Sequence, residues 1–296
     1  MNRNFQILVL IFLIIFAVRW LFSSMLSWEK SKKLIVSTEN LKNTTPILED
    51  ASYIHSNWVE QIKDQELHIY SQNGEDGVLL WIFANIGTVN KPPRFVEFGV
   101  SDGQECSTRF LRQQLGWQGL MMDGGQDIPS LNLHKERITS ENINDLLAKY
   151  KTPPLIDLLS IDIDFDDYFV WKSILQAKRF HARVVIIEYN YEIPVNENRV
   201  VDPNQDSRRG TGSDYYGASM LAMAALGRAY NYTLVYVEKN AVNLFFIQTS
   251  ILIEQNILHK VLSMNELYIS EPYTPRKSNP ELDKTRRWIW NDTKWI

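Results

Sequence analysis

The residues of this chain with chemistry to offer are carboxylates at the ends of short apolar runs. Arg94 to Phe98 is such a run, with Glu97 inside it, and it reads as a buried parallel strand. Gly99 and Gly103 follow, with Asp102 between them, and Ser107 to Leu115 reads as the next helix. A strand, a glycine turn and a helix make a nucleotide-type site, because backbone comes close to the ligand and helix N–H groups point at it. Spacing narrows the ligand. A dinucleotide site uses G-x-G-x-x-G against a pyrophosphate. Here the pattern is Glu97-x-Gly99-x-x-x-Gly103, and two carboxylates would repel a pyrophosphate but attract a cationic amino-acid end. Glycine turns after strands are common in α/β proteins, so this motif alone decides little.

The elements that would position these groups alternate. Gly119 to Asp123 is a second strand, and Asp123 lies 20 residues beyond Gly103, where Rossmann-like sheets bind ribose hydroxyls. Lys135 to Thr139 is a weak third strand, and Ser140 caps a helix through Leu147. Ile156 to Asp164 is the fourth strand, with Asp162 and Asp164 sharing one face at its carboxyl end. Arg183 to Asn190 is the fifth, with Glu188 and Asn190 placed likewise. A polar loop, Tyr191 to Ser213, holds Arg199, Arg208 and Arg209, and the last long helix runs from Asp214 to Tyr230. Thr233 to Val237 and Asn243 to Gln248 form a hairpin. Upstream, Ser71 or Asn73 caps a helix whose apolar face is Val78, Trp81 and Ile82. The polar cluster Gln72, Asn73, Glu75 and Asp76 at its start suggests a lid.

The chain has 296 residues and a formal net charge of −4, which suits one large α/β domain with extensions and does not favour nucleic acid as a partner. One cysteine, Cys106, excludes an internal disulfide. Residues 5–26 are apolar except at Arg19 and reach the length of a membrane span. No small-residue cleavage pair follows, so the stretch reads as a retained signal-anchor. The expected layout is a tail at 1–4, an anchor at 5–26, a stem at 27–66, an enzyme domain at 67–270 and an aromatic tail at 271–296. A count of basic residues keeps the body cytosolic. Asn43, Asn231 and Asn291 head glycosylation triplets, and the short tail, anchor and stem resemble Golgi glycan-modifying enzymes, which favours a lumenal body.

Seven pieces together are similar to the FkbM-like methyltransferases, over about residues 68 to 250. They are Ser71-Gln-Asn-Gly-Glu-Asp-Gly77, Phe95-Val-Glu-Phe-Gly99 with Asp102-Gly103, Gly116-Trp117-x-Gly119, Glu141-Asn-Ile-Asn144, Asp157-Leu-Leu-Ser-Ile-Asp-Ile-Asp164, Val185-Ile-Ile-Glu-Tyr-Asn190 and Asp214-Tyr-Tyr-Gly-Ala-Ser219. The family's fourth strand usually ends D-x-E-G, whereas this chain has Asp162-Ile-Asp164-Phe165. The resemblance implies a Rossmann-like, seven-stranded class I methyltransferase sheet with its last strand antiparallel. It implies S-adenosylmethionine as methyl donor, held by Glu97, Gly99, Asp102, Gly103 and Asp123, with Asn142 and Ile143 near the adenine. It implies O-methylation of a sugar or other hydroxyl-bearing small molecule.

A hydroxyl acceptor must lose a proton, which calls for a base, a metal or both. One arrangement places Mg²⁺, Mn²⁺ or Ca²⁺ on Asp162, Glu188 and Asn190, as in catechol O-methyltransferase-like enzymes. The other is metal-free, with Asp162 or Asp164 as base. Gln72, Glu75, Asp76, Tyr215 and Tyr216 are the candidates to contact the acceptor. Two other classes stay open: a cytosol-facing methyltransferase for a small molecule or lipid, and a binding module that keeps the fold without activity.

Overall fold

The computed structural model describes residues 58–204, 215–269 and 287–290, all within the unit Tyr53–Ile296. The proposed anchor at 5–26 and most of the stem lie outside the described residues, as do Arg208 and Arg209. Among the described residues no helix is long and apolar enough to cross a membrane.

The nine strands, in chain order, are β1 Arg94–Phe98, β2 Gln118–Asp123, β3 Leu133–Lys135, β4 Leu155–Ile161, β5 His181–Glu188, β6 Arg199–Val201, β7 Tyr232–Val237, β8 Asn243–Gln248 and β9 Trp288–Trp290. The helices are α1 Glu75–Ile86, α2 Arg109–Gln114, α3 Ile143–Lys149, α4 Asp167–Ala177, α5 Met220–Ala229, α6 Thr249–Glu254 and α7 Met264–Leu267. Seven strands form one sheet in the order β3-β2-β1-β4-β5-β8-β7. All neighbours from β3 to β5 are parallel, and β8 runs antiparallel between β5 and β7. This is a Rossmann-like α/β fold.

Continuous apolar runs make the central strands because both faces are covered. Alternation splits β5 cleanly. Val184 and Ile186 join the core under α1, with Val78, Leu79 and Ile82, while Val185 and Ile187 join the opposite core with Trp171 and Met223. Asp157, inside β4, is fully buried and structural. Its carboxylate accepts the N–H groups of Val89 at 2.7 Å and Arg94 at 3.0 Å and the amide of Asn90 at 2.9 Å.

Several boundaries differ from those expected. β3 lies at Leu133–Lys135, N-terminal to the expected Lys135–Thr139, and α3 is capped at Asn142 rather than Ser140. The last long helix begins at Met220, not Asp214, because Ser219 accepts the Ala222 N–H at 3.1 Å and starts the helix there. The polar loop contains a strand. β6 pairs with β9 from the C-terminal tail, so that part of the tail clamps the domain.

Candidate functional site

The carboxyl ends of β1, β2, β4 and β5 gather one edge of polar groups. At β1, Gly99 and Gly103 both have positive φ, 72° each. A Cβ on Gly99 would stand 1.6 Å from the Asp162 carbonyl oxygen, so the turns after β1 and β4 touch backbone to backbone. Asp102 is exposed, and its Oδ1 accepts the Gln104 N–H at 3.0 Å.

Glu97 sits one layer below. It accepts the Ser107 N–H at 2.9 Å, the Thr108 N–H at 3.2 Å and the Thr108 hydroxyl, and is 3% exposed. Burial pushes its carboxyl up from the ordinary value against these bonds. The expected contact from Glu97 to a donor's amino group is therefore replaced by an indirect role: Glu97 holds the chain entering α2.

Asp123 ends β2 half-buried. Its Oδ2 accepts the Ser101 N–H at 2.8 Å and its Oδ1 the Gly125 N–H at 2.7 Å. These bonds tie the end of β2 to the β1 turn and leave lone pairs for ligand hydroxyls. Asn142 closes the entry to α3, with its Oδ1 on the Thr139 N–H at 2.8 Å and its amide donating to Arg137 O at 2.7 Å. Ile143 is fully buried in the core, so it packs the sheet and has no exposed surface to offer an adenine.

Beyond β4 the chain turns through Asp162, Ile163 and Asp164, and Asp164 adopts φ 73°. The shared strand face expected for the two acids is thus a turn, since β4 ends at Ile161. Asp162, Asp164 and Glu188 each bring a carboxylate oxygen within 4.8 Å of the others. All three take part in further interactions as well. Three hard oxygen donors in that space suit a divalent cation. Asn190 joins less directly. It is fully buried, its Oδ1 accepts the Glu192 N–H at 3.0 Å and its amide donates to Tyr216 O at 2.9 Å. The expected ligand set of Asp162, Glu188 and Asn190 becomes Asp162, Asp164 and Glu188, because Asn190 is engaged in holding the neighbouring segment. Asp167 was missed by sequence reasoning. It is fully buried at the start of α4, where burial first and then the charge of Asp162 push its carboxyl up to about 7.

The polar cluster before α1 is tied to the β7–β8 hairpin. Glu66 accepts the Tyr236 hydroxyl at 2.7 Å and the Lys239 N–H at 2.8 Å. Asn240 donates to Asn73 at 3.1 Å, and Asn243 donates to Glu75 at 2.9 Å. Glu75 and Asp76 are buried, and Asp76 accepts three backbone N–H groups, so both are committed to structure rather than presented to an acceptor. Gln72 is exposed and reaches Glu105 at 3.4 Å. Tyr215 and Tyr216 are likewise buried. The Tyr215 hydroxyl accepts the Asp202 N–H at 2.8 Å and donates to Arg287 O at 2.5 Å, joining β6 to β9. Their aromatic faces lie in a cluster with Phe165 and Trp288, so the expected stacking surface for a sugar is covered.

Glu238 supplies a pH test. It is fully buried, with the N–H groups of Asn240, Val242 and Asn243 on its carboxylate, and burial, helped by the nearby Glu75 charge, pushes it up to about 7. The folded state then holds this proton more tightly than the unfolded chain, whose value is near 4.5. Its contribution is fully present below about pH 4.5 and is lost as pH rises through about 7, by about 3 kcal/mol in all. Melting curves from pH 4.5 to 8 should show the wild type losing more stability than Glu238→Gln. Parallel profiles would mean that Glu238 ionises normally.

A cavity of about 690 Å³ lies by the start of β7, on the opposite edge from these acids. Leu221, Ala224, Leu234, Val261, Leu262 and Met264 help to line it, and it has no carboxylate. The chemistry therefore points to the shallower carboxyl edge. In comparisons with known proteins, no family model and no curated protein matches this chain.

Proposed function

We propose that this chain is an S-adenosylmethionine-dependent O-methyltransferase. The observation that carries the reading is the sheet order β3-β2-β1-β4-β5-β8-β7 with β8 antiparallel between β5 and β7. An NAD-type doubly wound sheet ends without that insertion, whereas class I methyltransferases have it. The glycine turn after β1 and the acid ending β2 stand where such a sheet meets its ligand.

The donor supplies a methyl group already activated on a sulfonium. The chain's part is to bind, align and accept a proton. The Gly99–Gly103 turn lets backbone approach the donor, with Asp102 beside its amino-acid end, and Asp123 takes the ribose hydroxyls. Asp162 or Asp164 accepts the proton of the acceptor hydroxyl as its oxygen forms the new bond to the methyl carbon and the carbon–sulfur bond breaks. A divalent ion on Asp162, Asp164 and Glu188 would lower the pKa of that hydroxyl. For the acceptor we infer a glycan hydroxyl in the secretory pathway, a reading supported by the sequence layout of anchor, stem and enzyme domain.

Calorimetry of the full chain in detergent against S-adenosylmethionine tests the donor site. Binding is expected, and Asp123→Ala should weaken it at least ~10-fold, the loss of about 1.4 kcal/mol of hydrogen bonding. A folded chain that binds no donor, with or without Mn²⁺, would leave a binding module as the better reading.

A further inference from the structure

We propose that Asp167 is the positioning residue of a divalent-cation site formed by Asp162, Asp164 and Glu188. The proposal rests on the cation reading of the preceding section and assigns the residue that shapes the site.

Asp162 and Asp164 can converge only if the turn between them holds an uncommon shape. Asp164 has φ 73°, a left-handed conformation that costs a non-glycine residue energy and persists where neighbours enforce it. Two neighbours do so. Gly99 presses against the Asp162 carbonyl from one side, at the distance that leaves no room for a Cβ. From the other, Asp167 Oδ1 accepts the N–H of Ile163, the residue between the two acids, at 2.8 Å.

Asp167 is 0% exposed, and among the described residues its Oδ2 is buried with no hydrogen-bond partner. A turn could be tied by a serine or an asparagine at far lower cost than a buried carboxyl. Placing a fourth carboxyl behind three others adds repulsion that a backbone tie does not require. A cation held by the front three offsets that repulsion and gives the charge of the fourth a function. Outer carboxylates that orient ligating groups behave in this way, and their removal costs 10–100-fold in metal affinity as a general rule.

The test is titration of Mn²⁺ into the full chain in detergent, followed by calorimetry and by the electron paramagnetic resonance spectrum of the bound ion. The wild type should bind, and Asp162→Ala should not. Asp167→Ala should bind ~10–100-fold more weakly, with an altered spectrum. Asp167→Asn keeps an oxygen for the Ile163 N–H and should fall between the two. S-adenosylmethionine affinity should stay at the wild-type value in both Asp167 variants, which a general loosening of the sheet would not allow. If Asp167→Ala does not fold, Asp167→Asn decides the matter by the same readouts. Wild-type Mn²⁺ affinity in both Asp167 variants, with binding lost in Asp162→Ala, would overturn the role of Asp167 and keep the cation. No Mn²⁺ binding by the wild type would overturn both, leaving the donor titration to judge the methyltransferase reading separately.

Discussion

Gly99→Ala is expected to destabilise the fold by about 3–5 kcal/mol and to abolish ligand binding at the carboxyl edge. Two costs combine. The residue has φ 72°, which an L side chain adopts at an expense of ~1–3 kcal/mol. The new methyl would also lie 1.6 Å from the Asp162 carbonyl oxygen and 2.7 Å from its carbon. Those atoms are backbone, so no rotamer change relieves the clash, and overpacking of this kind costs ~1–3 kcal/mol or more. The two turns must separate, and with them the groups after β1 and β4. For a domain of this size the melting temperature should fall by ~10 °C. Gly124→Ala is the control, because a Cβ there meets nothing within 4 Å. Circular-dichroism melts read the first effect and donor titration the second. A Gly99→Ala protein melting within ~2 °C of the wild type would show that the turns yield easily and that Asp162 is not held by this contact.

The sheet was legible because its signal is strong. β1, β2, β4 and β5 are apolar runs bounded by turn residues, and each lies within two residues of the expected span. β6 and β9 were not legible. Each has three residues, and they pair across most of the C-terminal third of the chain, a contact no local pattern encodes. The acids divide in an instructive way. Asp123, Asp162, Asp164 and Glu188 were found as strand-end groups, and the structure brings three of them within 4.8 Å of one another. Glu97, Glu75 and Asp76 were read as ligand-facing, yet they face backbone and side-chain donors of the fold itself. A carboxylate aimed at a ligand and one aimed at nearby N–H groups have the same spacing signature; only burial separates them. Tyr215 and Tyr216 failed for a related reason. Their aromatic character suits a sugar surface and a small core equally, and the core formed by Phe165, Val201 and Trp288 claims them.

Asp76→Ala should be the other large loss. Asp76 is 1% exposed, and its Oδ2 takes the N–H groups of Ile69, Tyr70 and Ser71 at 3.0, 2.7 and 2.9 Å. The Ser71 hydroxyl accepts the Asp76 N–H in return at 3.1 Å. Alanine leaves three sheltered donors without an acceptor, at roughly 3–5 kcal/mol in total. Asparagine keeps an oxygen but not its charge, and should cost ~1–2 kcal/mol. The damage would extend to the carboxyl edge. Residues 66–76 are tied to the β7–β8 hairpin through Tyr236, Lys239, Asn240 and Asn243, and Asn243 pairs in register with Glu188. Amide exchange should therefore quicken first at Ile69 to Ser71 and then along Val242 to Leu244. The order of the two variants separates structure from chemistry. If stability falls as Ala > Asn, Asp76 acts as the hub of this loop. If both melt like the wild type but lose methyl transfer, the carboxyl serves an acceptor, and the lid suggested by the cluster of Gln72, Asn73, Glu75 and Asp76 would be the correct reading of this segment.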